Sequence, residues 1–239
     1  MSLRFVVCSC CLSTTRYHFP ESLFWTGLIV YEKNQGEKVN HIKDTLANKY
    51  CKPVTRGREI LRYKFDWGGK FIEYGDWLCR KRDSRYFERP KIVLRQTSDT
   101  LIATYIEEPF YFIDSVHSII TKSNDYTLKY LLALINSKLG EYLYKLLITE
   151  TGKVFAQVKL TFVKQIPIKI VNRDTQNIIA NKVDDIINLH KQNNTQNAIE
   201  KEAEMDALIF RLYNLSYNEV INIDSAFALS KEEYEKVVV

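Results

Sequence analysis

Glycine and proline are scarce, eight and five in 239 residues, and the glycines never fall in the patterns that bring backbone N–H groups onto a phosphate. With no GxGxxG and no GxxxxGK present, dinucleotide-binding and P-loop enzymes are excluded. No two prolines are adjacent, so the (Asn/Asp)-Pro-Pro-(Tyr/Phe) grip of adenine-amino methyltransferases on a flipped base is absent. No lysine has Asp or Glu two residues before it, which removes the PD-(D/E)xK nucleases. No apolar run approaches the roughly twenty residues of a membrane span. The five cysteines include Cys8, Cys10 and Cys11, without CxxC spacing or a second pair to complete a zinc site. They read as reduced thiols of a cytoplasmic protein with no membrane partner. His18, His41, His117 and His190 are isolated, and Asp184-Asp185 are helix neighbours pointing apart, so no catalytic or metal constellation emerges.

What the chain does have is rings and unevenly placed charge. Fifteen Tyr, twelve Phe and three Trp supply large surfaces for packing or stacking. The net charge is only +5, yet residues 52–99 hold 13 Lys and Arg against 7 acids, while residues 196–239 hold 4 against 9. In the basic half, arginines and lysines alternate with Tyr63, Phe65, Trp67, Phe71, Tyr74, Trp77, Tyr86 and Phe87. Cations for phosphate with forks and rings for bases are the materials of nucleic-acid binding; a solvated face over an aromatic core uses the same materials.

Periodicity predicts an α+β chain. Strands are expected at 24–30, 59–65, 70–74, 91–96, 101–106 and 110–113, punctuated by Gly68-Gly69, Pro90 and Pro109. From Tyr126 to Ile148 apolar residues recur every three and four positions, which predicts one long buried helix. Further helices are expected from a cap at Asp174 and from about Gln196, and Ser216–Glu219 and Ser230–Glu233 have capping-box spacing. The resulting division is an unplaced segment over 1–23, with Met1 to Leu3 reading as an expression leader, a mixed-sheet module over 24–170 carrying the long packed helix, and a helical segment over 171–239.

Several stretches resemble one family. Pro53 to Tyr63 (PVTRGREILRY) and Phe87 to Thr97 (FERPKIVLRQT) look like the opening of the TaqI-like C-terminal specificity domain; Leu131 to Leu139 (LLALINSKL) resembles its helix, and Gly152 to Gln157 with Ile166-Pro167-Ile168 its ending. Glu202 to Val220 is similar to the closing helix of fused restriction-modification enzymes, with Asn214 where the family usually has Gly. The resemblance implies a target recognition domain for double-stranded DNA within a type II restriction-modification enzyme. It further implies an adenine methyltransferase domain N-terminal on the same parent polypeptide, which would account for the absent Pro-Pro motif. S-adenosylmethionine and Mg would then belong to those catalytic domains, with no cofactor on this chain. A protein-interaction module with an acidic helical tail, or a fragment of a type I specificity subunit, are the alternatives; the chain shows no internal repeat.

Candidate DNA contacts follow. Arg56 and Arg58 flank Gly57, Arg80, Lys81, Arg82 and Arg85 lie between predicted strands, and Gln96, Thr97 and Ser98 end a strand with amide and hydroxyl groups. Lys153, Gln157 and Lys159 follow Gly152 as phosphate-contact candidates. Asn136 and Ser137 are expected to tie the helix to a neighbouring loop.

Overall fold

The computed structural model of the chain describes residues 22–32, 41–122, 124–148 and 157–239. They form an α+β fold of two compact units, one of strands spanning 21–122 with 152–160, the other helical and containing 123–151 and 161–239. The cysteine cluster and His18 lie outside the described residues.

The β unit contains two four-stranded sheets. In the first, β1 (Ser22–Thr26), β12 (Val116–Thr121), β9 (Lys91–Arg95) and β10 (Ala103–Ile106) are adjacent in that order and antiparallel throughout. In the second, β11 (Tyr111–Phe112) runs parallel to β4 (Cys51–Thr55), which pairs antiparallel with β7 (Phe71–Glu73) and through it with β3 (Ile42–Lys43). Two ribbons complete it: β2 (Ile29–Glu32) with β8 (Leu78–Arg80), and β5 (Ile60–Leu61) with β6 (Lys64–Phe65). Leu28, Val54, Ile72, Phe87, Val93 and Phe112 are buried in its core, where Phe87 stacks on Tyr111 at 4.5 Å between centroids.

Two expected strands are broken. The 24–30 run divides at Gly27-Leu28, because β1 belongs to the first sheet and β2 leaves it to pair with β8. The 59–65 run is a 3₁₀ turn at Gly57–Glu59 and then a hairpin whose corner is Tyr63 at φ 55°. That hairpin is secured by the Tyr63 amide donating to the Ala103 carbonyl at 3.0 Å.

In the helical unit, α1 (Leu128–Asn136) and α2 (Lys138–Leu147) replace the single expected helix. Ser137, at φ −69° and ψ 157°, leaves the helical conformation and serves both. Its hydroxyl donates to the Leu134 carbonyl at 2.8 Å and accepts from the Gly140 amide at 3.0 Å. The apolar period runs through the break, which is why periodicity alone joins the two pieces. Ser137→Ala removes both bonds, and a loss of about 1–2 kcal/mol is expected, read as a shift in the thermal midpoint.

After a short helix, α3 (Leu160–Val163), come α4 (Arg173–Lys191) and α5 (Thr195–Leu212), which pack on each other, with α1 against α4. The N-cap of α4 is Asn172, two residues before the expected Asp174, since its side chain accepts from the Thr175 amide. Capping boxes at Ser216 and Ser230 open α6 (Tyr217–Ile223) and α7 (Lys231–Glu235). Asn214 stands at φ 57°, the left-handed turn a glycine would favour. The units do not part at 170/171: α1 and α2 group with the C-terminal helices because α1 buries its apolar residues there. Among the described residues no helix is long and apolar enough to cross a membrane.

Candidate nucleic-acid interface

One end of the β unit gathers most of the candidate residues. Three chain segments converge on Ser115, just before β12. The Gly57 amide donates to Ser115 Oγ at 3.0 Å, and the Gln96 amide donates to the Ser115 carbonyl at 2.9 Å. The Gln96 carbonyl in turn accepts from the Val158 amide at 2.8 Å, which brings Gln157 and Lys159 alongside. Arg56, Arg58, Gln96, Thr97, Ser98, Gln157 and Lys159 therefore share one neighbourhood although the first and last of them are 103 positions apart in sequence.

Buried groups brace this end. Glu59, 5% exposed, accepts from the Thr55 hydroxyl at 2.9 Å and the Arg56 amide at 3.3 Å, fixing the Arg56–Arg58 turn from beneath. A Cβ on Gly57 would lie 2.7 Å from the Ser115 carbonyl oxygen, so this glycine permits the approach of two protein loops. His117 is buried, with Nε2 2.9 Å from the Val158 carbonyl and Nδ1 3.1 Å from Thr26 Oγ1. A carbonyl only accepts, so Nε2 carries the proton and Nδ1 accepts from the threonine hydroxyl. Burial holds this ring below the ordinary histidine pKa, which keeps it in that neutral tautomer.

The exposed layer is cationic and amide-bearing. Arg58, Thr97, Gln157 and Lys159 are exposed, while Arg56, Gln96 and Ser98 are half-buried. Ser98 Oγ accepts from the Thr100 amide at 3.2 Å, so that hydroxyl shapes the turn. Arg95 Nε donates to the Thr97 carbonyl at 3.1 Å. Lys153 lies outside the described residues.

The 80–85 loop is differently furnished. Arg80 ends β8 opposite Ile29. Lys81 Nζ is 2.7 Å from Asp76 and lies over the ring of Tyr74, whose amide pairs with the Tyr50 carbonyl beyond the far end of β4 from Arg56. Arg82 offers its carbonyl to the Tyr74 hydroxyl. Arg85 clasps Asp83 with Nη2 to Oδ2 at 2.6 Å and Nε to Oδ1 at 3.0 Å, and these bonds hold the Asp83 carboxyl down to about 2. Two of these four cations already have an acid partner, which any phosphate would have to displace.

Arg95, Ser115 and His117 escaped sequence reasoning. Arg95 lies inside the strand predicted over 91–96 and is visible in the FERPKIVLRQT stretch; Ser115 and His117 give no sequence signal that separates them from ordinary core and turn residues. Among the described residues no three His, Cys, Asp or Glu side chains are placed to hold a metal ion.

Residues 52–168 match the model of the TaqI-like C-terminal specificity domain. No curated protein matches the sequence. Among solved structures, the fold is similar to that of the Type IIL restriction-modification enzyme MmeI in complex with DNA, with a TM-score of 0.60 at 10% identity. The similarity covers 94% of this chain and 37% of that protein, so the chain spans little more than a third of its length.

Proposed function

We propose that the chain, whose residues 52–168 match the model of the TaqI-like C-terminal specificity domain, recognises a specific sequence in double-stranded DNA as the target-reading part of a larger type II restriction-modification polypeptide. The adenine methyltransferase domain lies N-terminal on that polypeptide and brings its own S-adenosylmethionine. The reading rests on one observation above all, the convergence of Arg56, Arg58, Gln96, Thr97, Gln157 and Lys159 around Ser115. Cations at the rim of such a face neutralise phosphates, and amides, hydroxyls and forks reach base edges. The catalytic partner would close the other side of the duplex.

A gel-shift titration of the 239-residue chain on a labelled duplex tests this. Weak binding is expected, with log K falling with log salt at a slope of roughly −3 to −5, since each neutralised phosphate contributes about −0.9. Arg58→Ala should shallow the slope by about one on every sequence alike. Salt-independent binding would overturn the reading, as would an unchanged slope in Arg58→Ala together with a triple change at Arg56, Gln157 and Lys159. Calorimetry with S-adenosylmethionine is expected to show no heat of binding, because the sequence has neither the Pro-Pro motif nor a glycine-rich loop.

A further inference from the structure

The cations of the β unit divide by what their side chains already do. Lys81 and Arg85 are paired with Asp76 and Asp83, Lys70 with Asp44, and Lys91 points its ammonium at three backbone carbonyls. Arg58 is exposed and makes no side-chain hydrogen bond or ion pair among the described residues, so nothing orients its guanidinium. Arg95 differs from both groups. Its Nε is bound to the Thr97 carbonyl at 3.1 Å, while its two Nη groups make no hydrogen bond among the described residues.

The stem of Arg95 is fixed as well. Its amide donates to the Ile102 carbonyl at 2.9 Å, it pairs with Val116 across the sheet, and its Cγ lies 3.5 Å from where a Cβ on Gly57 would stand. A guanidinium held at Nε keeps an end-on pair of donors in one plane. That pair matches two acceptors side by side, as guanine O6 and N7 are in the major groove. Phosphate contact gains little from such fixing, because a mobile cation such as Arg58 serves equally well, whereas a base edge is read only by donors held in register. Gln96 and Thr97, next in sequence, carry an amide and a hydroxyl.

Resting on the DNA-recognition reading above, we propose that Arg95 is a specificity-determining residue of this face and reads a guanine in the target site. The test selects bound duplexes from a randomised library at low salt with the full chain, its R95A and R95K variants, and Lys231→Ala as a charge-matched control in the helical unit. The unaltered chain should enrich a motif containing a guanine that both Arg95 variants cease to select, with cognate affinity falling on the order of 10- to 100-fold. R95K keeps the charge and loses the paired donors, so its affinity for unrelated sequences should stay within about twofold of the unaltered chain. If R95A weakens binding equally on all sequences and R95K restores it, Arg95 is a phosphate contact and the proposal fails. It fails equally if the motif is unchanged in both variants, or if the unaltered chain binds DNA and enriches no motif. A chain that binds no duplex at all overturns the DNA reading itself and the proposal with it. Circular dichroism melting accompanies each variant; should R95A lose its fold, R95K alone decides between these outcomes.

Discussion

Lys91→Ala is expected to destabilise the β unit by about 3–4 kcal/mol, the balance of three effects. The side chain is fully buried, and its ammonium donates to the carbonyls of Phe87, Arg89 and Glu108 at 2.8, 3.0 and 3.0 Å. Phe87 keeps a second donor in the Phe110 amide, so removal strands two carbonyls, at about 1–3 kcal/mol each. Lost burial of the stem adds about 3 kcal/mol. Against this, burial pushes the amine pKa down to about 8, partly countered by Glu108, so the folded chain is relieved of about 3 kcal/mol of ionisation cost at neutral pH. Lys91→Met keeps most of the packing and should lose only about 1–2 kcal/mol. All three tryptophans belong to the β unit, so fluorescence-monitored urea unfolding reports on it directly. The pH dependence has a definite sign. The folded chain releases this proton first, the unfolded chain binds more protons from about pH 8 to about 10.4, and stability due to Lys91 rises with pH across that window. Lys91→Met should lack that rise; a wild-type curve parallel to it would refute the assignment.

Gly27→Ala should cost about 3–5 kcal/mol, enough to prevent soluble accumulation of a marginally stable chain. An added Cβ would fall well inside contact distance of the Phe112 and Ile113 carbonyl oxygens, both backbone atoms with nowhere to retreat. Moving the strand away would break the Gly27 amide bond to the Val116 carbonyl and the Leu28 amide bond to Phe112, and would unseat the fully buried Leu28. Gly69→Ala provides the contrast. At φ 70° with nothing within 4 Å of the added carbon, it meets backbone strain alone, about 1 kcal/mol. Equal urea midpoints for the two variants would contradict the close approach of Gly27 to the Phe112–Ile113 backbone.

Features set by local chemistry were legible in the sequence. The boxes at Ser216 and Ser230 need only two side chains in register, and Asn214 signals its turn by tolerating positive φ. The α+β class followed from the change of period near Tyr126. What was illegible depends on distant partners. β4 reads Cys-Lys-Pro-Val-Thr, with a proline that argues against a strand, and becomes one because β7 and β11 flank it. β12 contains His117, whose burial makes sense only once Thr26 and Val158 are beside it. At the candidate interface the arginines were visible as arginines, but whether a fork is engaged, as in Arg85, or held open, as in Arg95, is a property of the fold.

The seating of Val158 has a consequence for how such a protein is made and recombined. The β unit is discontinuous: its strands are all synthesised by residue 122, yet Val158, 1% exposed and bonded to both Gln96 and His117, arrives only after α1 and α2 have been translated. A nascent chain that stops short of it leaves the Gln96 carbonyl and the His117 ring facing water at the end where the arginines gather. A cassette exchanged between related polypeptides would have to run past residue 160, carrying the helical pair along as passenger, and a crossover at 122 would transplant a reading face without its clasp.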